Sequence, residues 1–170
     1  MKQTILDYSI NPQTAALIPI MHQDYKTIII EKDKQLFINQ TPIDLIKKAC
    51  LVYLSTYEGR RKAVMHQMNY KRKIPIPINP SLHIISFPTH STSHSNCCWI
   101  FYKHVKEIEK HPLKNQSDSS IITFSNDTQL LIDVSPYILR KQYKRAEMCL
   151  ELFLSNSQDI CLNMEGLLIS

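Results

Sequence analysis

Two basic triplets supply the strongest candidate binding chemistry in this sequence. The stretch from Tyr57 to Lys73 contains six Lys or Arg residues, in the triplets Arg60-Arg61-Lys62 and Lys71-Arg72-Lys73, and Glu58 is its only acid. Like charges at this density repel one another unless a partner supplies negative charge, which a nucleic acid backbone carries along its whole length. The alternative is a solvated loop whose charges serve only solubility.

The stretch between the triplets predicts a projecting basic β-hairpin. The residues Val64, Met65, Gln67, Met68 and Tyr70 could form two short strands or one long bent strand, and if two strands pair, both triplets lie at the same end. Gly59 is one of only two glycines in the chain, and glycine suits the positive φ of a tight turn. We therefore expect Gly59 to form the turn of this hairpin.

Basic residues also occur on two later elements. Arg140, Lys141, Lys144 and Arg145 fall mainly off the apolar face of a predicted C-terminal helix and form a basic rim, of which Lys141, Lys144 and Arg145 are candidates for binding. Lys103 and Lys106 lie on a predicted strand that precedes this helix. We add these five residues to the two triplets as candidate phosphate contacts, with a solvated helix face as the alternative for the rim.

A zinc site and a nucleophilic centre are the rival chemistries. His90, His94, Cys97, Cys98 and His104 lie within fifteen residues, and both residue types are zinc ligands. Adjacent cysteines rarely bind one ion together and no Cys-x-x-Cys occurs, so we predict neither a metal site nor a catalytic residue. Two glycines cannot build a glycine-rich phosphate loop, so we expect no ATP, NAD or other cofactor.

The composition is that of one globular domain in a reducing compartment. A chain of 170 residues with 44% hydrophobic and 21% charged residues can form a real core. The apolar runs are too short to span a bilayer, and the N-terminus lacks the apolar segment of a signal peptide. Five cysteines, two of them adjacent, fit no disulfide framework, so we expect a cytoplasmic protein. A net charge of +5 is compatible with binding to nucleic acid but does not require it.

Strand patterns dominate the middle of the chain. Three short strands are predicted between residues 14 and 39, another over 82–87, and a long alternating one over 99–108. The prolines of I-P-I-P-I-N-P at 74–80 confine that segment to a sheet edge or a connection. Residues 121–124 and 130–134 predict a hairpin around Ser125-Asn126-Asp127.

Two amphipathic helices complete the predicted fold. Thr41-Pro42 begins one over about 41–55, and Ser135-Pro136 begins another whose apolar face repeats at three and four residues as far as Phe153. Residues 156–170 show no clear period. We therefore predict an α+β fold with a mainly antiparallel sheet, a single domain over 1–155 and a short tail of uncertain order over 156–170.

Several short motifs resemble the ComK family, the competence transcription factors of Gram-positive bacteria. The spacing between Gly59 and Glu107 matches the family pattern without a gap, and the similarity covers roughly residues 28–145. The matching segments are Tyr57, Gly59, Arg60 and Arg61; Lys73-Ile74-Pro75-Ile76; Phe87-Pro88-Thr89; Cys97-Cys98-Trp99-Ile100; His104-Val105-Lys106-Glu107; and Phe124-Ser125-Asn126-Asp127.

The resemblance implies a transcription regulator that binds A/T-rich double-stranded DNA as a multimer through the minor groove. Arg60 or Arg61 would then enter the narrow A-tract groove, while Lys62, Lys71, Arg72 and Lys73 would hold phosphates. It also implies a proteolytic adaptor as a partner, through a longer family tail that nothing after Ser155 resembles. The alternative function is a protein-interaction module that modulates a full-length relative without activating transcription itself.

Overall fold

A computed structural model describes residues 3–113 and 118–168, with side chains as far as Gln158. The described strands are β1 (Gln3–Ile5), β2 (Thr14–Pro19), β3 (Thr27–Glu31), β4 (Gln35–Ile38), β5 (Ile76–Asn79), β6 (Ile84–Pro88), β7 (Trp99–Phe101), β8 (Val105–Lys110), β9 (Ser120–Phe124) and β10 (Gln129–Ile132). The described helices are α1 (Pro42–Val52), α2 (Tyr57–Met68) and α3 (Pro136–Leu168), with 3₁₀ turns at Pro80–Leu82 and Tyr102–His104.

The strands form two sheets. Seven of them make a large sheet in the order β1-β4-β3-β2-β7-β6-β5, and β10-β9-β8 make a small one. All pairings are antiparallel except that of β1 with β4. The predicted α+β class with a mainly antiparallel sheet is therefore confirmed, and the proline-rich segment forms an edge strand, β5, as predicted.

Both faces of the large sheet are covered. Because side chains alternate along a strand, β7 directs Trp99 and Phe101 toward α1 and directs Ile100 toward the small sheet and α3. Phe124 of β9 and Leu139 of α3, which are almost completely buried, lie in the second core with Ile100. The result is a layered domain in which the large sheet separates two hydrophobic cores.

Two predicted helices are confirmed. The Thr41 side chain caps α1 by accepting a hydrogen bond from the Asp44 amide, and Pro42 is at its first turn. At the start of α3, the Ile138 amide donates to Ser135 Oγ at 3.4 Å. This helix continues beyond residue 155 to Leu168. The division into a domain over 1–155 and a tail stays a prediction.

The predicted basic hairpin is wrong, because residues 57–68 form the helix α2. Thr56 caps it by accepting a hydrogen bond from the Gly59 amide at 2.9 Å, Glu58 places an acid in the first turn, and Asn69 ends it in the left-handed conformation. Gly59 has no positive φ. A Cβ at Gly59 would lie 2.9 Å from Thr56 Oγ1, so this glycine allows close approach of the cap.

The alternating segment over 99–108 is also different from the prediction. A 3₁₀ turn at Tyr102–His104 divides it into β7 of the large sheet and β8 of the small sheet. The predicted hairpin that follows is confirmed as β9 and β10, with Asp127 at φ 63° in the turn. The Asn126 side chain donates to Lys32 O at 2.8 Å and ties this turn to the β3–β4 turn.

A buried polar network fixes the end of β3. The Glu31 carboxylate accepts hydrogen bonds from Tyr8 Oη at 2.8 Å and Asn11 Nδ2 at 3.1 Å, and Lys34 lies 3.3 Å away. Burial alone would raise the pKa of the Glu31 carboxyl, but the hydrogen bonds from Asn11, Tyr8 and Lys34 together hold its pKa below 4.5. Glu31 is therefore buried as a charged acceptor.

Candidate nucleic-acid interface

The three residues of the first basic triplet are distributed around the axis of α2. Successive residues of an α-helix are separated by about 100° around its axis, so Arg60, Arg61 and Lys62 cannot all face one partner. Lys62 is exposed, whereas Arg60 and Arg61 are half-buried. The Tyr57 pKa is raised by burial, while the charge of Arg61 opposes that shift.

Arg60 lies in an apolar groove between α2 and α3. The groove is lined by α2 residues such as Val64 and Met68 and by Cys149 and Phe153 of α3. Arg60 Nε is buried and has no hydrogen-bond partner among the described residues. Arg60 therefore lines a groove and is half-buried, which differs from the exposed position at a hairpin tip that the sequence predicted.

The second triplet follows α2 in a short connection to β5. Asn69 and Lys73 both adopt left-handed backbone conformations, with φ of 54° and 50°. Ile74 is buried and anchors the end of the connection. Lys71 and Arg72 are exposed between these fixed points, and Lys73 is half-buried.

This connection meets the basic rim of α3. An open groove is lined by Tyr70 from the connection and by six residues of α3: Tyr137, Arg140, Lys141, Lys144, Arg145 and Met148. We call residues 70–73 together with these six residues the loop–helix surface. It brings the second triplet and the predicted rim of α3 together, as a single binding surface requires.

Arg145 joins the two parts of the loop–helix surface. Its Nη1 donates to Arg72 O at 3.0 Å and to Gln142 Oε1 at 3.1 Å, and its guanidinium lies 4.5 Å from the centre of the Tyr70 ring. Arg140 is fixed in a similar way, because its Nη2 donates to Ile108 O at 2.7 Å. Both guanidinium groups therefore have a defined place in the surface while they keep their charge.

The charges on the loop–helix surface differ in how far they are neutralised. Lys144 Nζ donates to Glu147 Oε2 at 2.6 Å. Within residues 3–113 and 118–158, neither Lys71, Arg72 nor Lys141 has an acid within ion-pair distance. These three exposed cations are available to bind an anion.

Lys103 and Lys106 lie outside this surface. Lys103 lines a small cleft with residues of the segment before β2 and with His83. Lys106 Nζ, near the turn between β9 and β10, donates to Asp127 Oδ1 at 2.6 Å. The structure therefore does not bring these two predicted contacts together with the second triplet.

Sequence reasoning missed Tyr70 and Tyr137 of the surface, and also the buried Gln142, which bonds to Lys73 O. Tyr70 and Tyr137 carry no charge and have no distinctive spacing, so the sequence offers no signal for them. Gln142 does have one, because it stands three residues after Leu139 and four before Ala146, within the buried stripe of α3. A polar residue in an apolar stripe indicates a specific hydrogen-bonding role.

The histidine and cysteine cluster forms a hydrogen-bonded loop. The rings of His90 and His94 stack with centres 4.6 Å apart, and Cys97 Sγ donates to His90 O at 3.5 Å. Burial raises the pKa of both neighbouring thiols, that of Cys98 to about 12, so they remain protonated. The described part of the chain contains no group of three or more His, Cys, Asp or Glu side chains arranged to hold a metal ion.

The comparisons with known proteins identify the family. The model of the family described as ComK protein matches residues 5–158. The chain belongs to the ComK family. A ComK relative, the Competence transcription factor of Bacillus subtilis (strain 168), is 32% identical over 130 residues, which cover 75% of this chain and 65% of that protein. No solved structure matches the chain.

The ComK match includes every residue of the loop–helix surface, because residues 70–73 and 137–148 lie within 5–158. It also includes α2 with the first triplet and most of α3. The predicted family resemblance is thus confirmed. Among the residues that the structure describes, no helix is both long and apolar enough to cross a membrane.

Proposed function

We propose that this chain is a DNA-binding transcription regulator of competence genes that acts in the cytoplasm. The proposal depends on one observation: Arg145 bonds the connection that carries the exposed Lys71 and Arg72 to the helix that carries the exposed Lys141, and none of these three cations has an acid among the described residues within ion-pair distance. Phosphates neutralise such cations and release counterions from the duplex, which provides the free energy of binding. The 32% identity to the Competence transcription factor of Bacillus subtilis supports the class of genes.

We propose further that the protein reads A/T-rich boxes through the minor groove. Arginine is attracted into a narrow A-tract groove by its strong negative potential. Arg72 is exposed on the loop–helix surface, whereas Arg60 lines the groove between α2 and α3, so Arg72 is better placed to act as this probe. Lys71 and Lys141 would contact the phosphates on either side.

The proposal includes a multimer on paired half-sites and a proteolytic adaptor as a further partner. Sedimentation of the protein with a duplex of one or two boxes tests the first of these. Two half-sites should bind at least two chains with higher affinity than a single half-site. A single chain on the two-box duplex would contradict the multimer.

A salt titration tests the proposed function. Binding of the wild type to A/T-rich and G/C-rich duplexes is measured by fluorescence anisotropy at several salt concentrations. We expect tighter binding to the A/T-rich duplex and a steep loss of affinity with salt. The double variant Lys71→Ala with Arg72→Ala should reduce the slope of log K against log salt by about 1.8, because each cation that neutralises duplex charge, at the phosphates or in the groove, contributes about 0.9.

The matched control removes the same charge elsewhere. Lys26 and Lys32 are exposed, and Lys32 lies in the β3–β4 turn, four strands from β5 in the large sheet. Lys26→Ala with Lys32→Ala should leave the slope unchanged. Equal slopes for both double variants would contradict the assignment of the loop–helix surface. Capture of a full-length relative without any binding to DNA would instead favour the protein-interaction module.

A further inference from the structure

The connection that carries Lys71 and Arg72 has a backbone that an isolated chain would seldom adopt. Asn69 and Lys73 both have positive φ, although neither is glycine. Residues with a Cβ reach this region only when surrounding contacts stabilise it. The contacts around residues 70–73 therefore determine how Lys71 and Arg72 are presented.

Gln142 provides the first of these contacts. It is only 2% exposed. Its Nε2 donates to Lys73 O at 2.6 Å and to Pro88 O at 3.3 Å, and its Oε1 accepts from Arg145 Nη1 at 3.1 Å. The amide thus links α3 to the end of the connection and to the end of β6.

Arg145 provides the second contact. The same Nη1 that donates to Gln142 also donates to Arg72 O, and the guanidinium lies over the Tyr70 ring. Tyr70 Oη in turn donates to Met148 Sδ at 3.8 Å, one turn further along α3. Two consecutive carbonyls, those of Arg72 and Lys73, are therefore held by two side chains from α3.

Packing alone does not account for a glutamine at this position. The neighbouring members of the buried stripe, Leu139 and Ala146, are apolar. A buried amide is unfavourable unless its polar atoms are hydrogen-bonded, and an apolar side chain would fill the same space without that requirement. The bonds that Gln142 makes to the connection are what an apolar side chain could not supply.

We propose that Gln142 and Arg145 are positioning residues for DNA binding. They fix the backbone of residues 70–73 so that Lys71 and Arg72 meet the duplex without a further loss of backbone freedom. Preorganisation of this kind increases affinity because the ordering cost is removed from the binding step. The inference rests on the proposed function. It gives a role in that function to Gln142, although this side chain is uncharged and buried.

A double-mutant cycle tests the proposal. Gln142→Met keeps the length of the side chain and the net charge but removes all three hydrogen bonds. We expect it to weaken binding to the A/T-rich duplex by about tenfold, because the backbone that carries Lys71 and Arg72 must then be ordered on binding. The salt slope should not change, since the same phosphates are contacted. In the background of Lys71→Ala with Arg72→Ala, Gln142→Met should have no further effect.

The control background is Lys26→Ala with Lys32→Ala, where Gln142→Met should keep its full tenfold effect. Amide hydrogen exchange of Lys71, Arg72 and Lys73 should be faster in Gln142→Met than in the wild type. An equal effect of Gln142→Met in both backgrounds would overturn the proposal, because a general loss of stability acts independently of Lys71 and Arg72.

A second variant, Arg145→Lys, tests the positioning role if Gln142→Met does not fold. Arg145→Lys retains the positive charge but lacks the planar guanidinium that lies at the Tyr70 ring while its Nη1 donates to two acceptors. Arg145→Lys should weaken binding to DNA without changing the salt slope, and only in proteins that retain Lys71 and Arg72. An equal loss of affinity in the Lys71→Ala, Arg72→Ala background would overturn the proposal.

If the wild type shows no salt-dependent binding to DNA, the proposed function fails as well. If the wild type binds and the cycle is additive, only the positioning role fails.

Discussion

Glu147 neutralises one lysine of the loop–helix surface, so its replacement should strengthen binding to DNA. Lys144 Nζ donates to Glu147 Oε2 at 2.6 Å, and the two side chains are 62% and 34% exposed. In Glu147→Gln the amide cannot neutralise the ammonium group. Lys144 then becomes a fourth exposed cation that can bind a phosphate, beside Lys71, Arg72 and Lys141.

The size of this effect follows from counterion release. One additional phosphate contact increases the slope of log K against log salt by about 0.9. Between about 50 mM and 200 mM salt, the affinity of Glu147→Gln should therefore fall by about 3.5-fold more than that of the wild type. Because exposed ion pairs contribute little to stability, the variant should keep the Tm of the wild type.

Fluorescence anisotropy with an A/T-rich duplex at four salt concentrations measures this slope. Asp33→Asn is the matched control, because it makes the same change in net charge at an exposed position of the β3–β4 turn. We expect the slope of Asp33→Asn to equal that of the wild type. A wild-type slope for Glu147→Gln, or an equal increase in both variants, would refute the assignment of Lys144 to a phosphate-binding surface.

Three further predictions concern other parts of the molecule. Asp127→Asn, which frees Lys106, should leave the salt slope unchanged, and an increase measured by anisotropy would extend the binding surface to β8. Leu139→Ala should lower the free energy of unfolding by about 2–5 kcal/mol in urea titrations, since Leu139 is completely buried; a loss under about 1 kcal/mol would contradict its place in the core. Because the Glu31 pKa is lowered in the folded state, the stability from its charged form is present above pH 4.5 and is lost on acidification. Glu31→Gln should remove that part of the acid dependence in urea titrations at several pH values, and an unchanged profile would contradict it.

The elements that could be predicted from sequence are those whose signals are local. The caps at Thr41 and Ser135, the short apolar runs of β3 and β6, and the prolines around β5 each act within a few residues. The helix α2 was missed because only Val64 of its twelve residues is buried, so no apolar stripe marks it. Its cap at Thr56 was the available signal, and the glycine and the charge triplets suggested a turn instead.

The candidate site was predictable only in part, for a related reason. Charge is visible in a sequence, so Lys71, Arg72 and Lys141 could be named in advance. Which charges share a surface depends on how α3 crosses the connection after α2, and which are neutralised depends on partners distant in sequence, as with Lys106 and Asp127. No local pattern encodes either relation.

Trp99 is an intrinsic fluorophore that reports on only one layer of the protein. It is the only tryptophan in the chain and is 1% exposed, and its ring meets that of Tyr57 edge to face at 6.3 Å. Its emission therefore monitors the layer that contains α1 and the start of α2, on the other side of the sheet from the small sheet. During a titration with a ligand, a change in that emission would signal that α2 shifts, whereas constant emission would show that the loop–helix surface is occupied without disturbing the opposite layer.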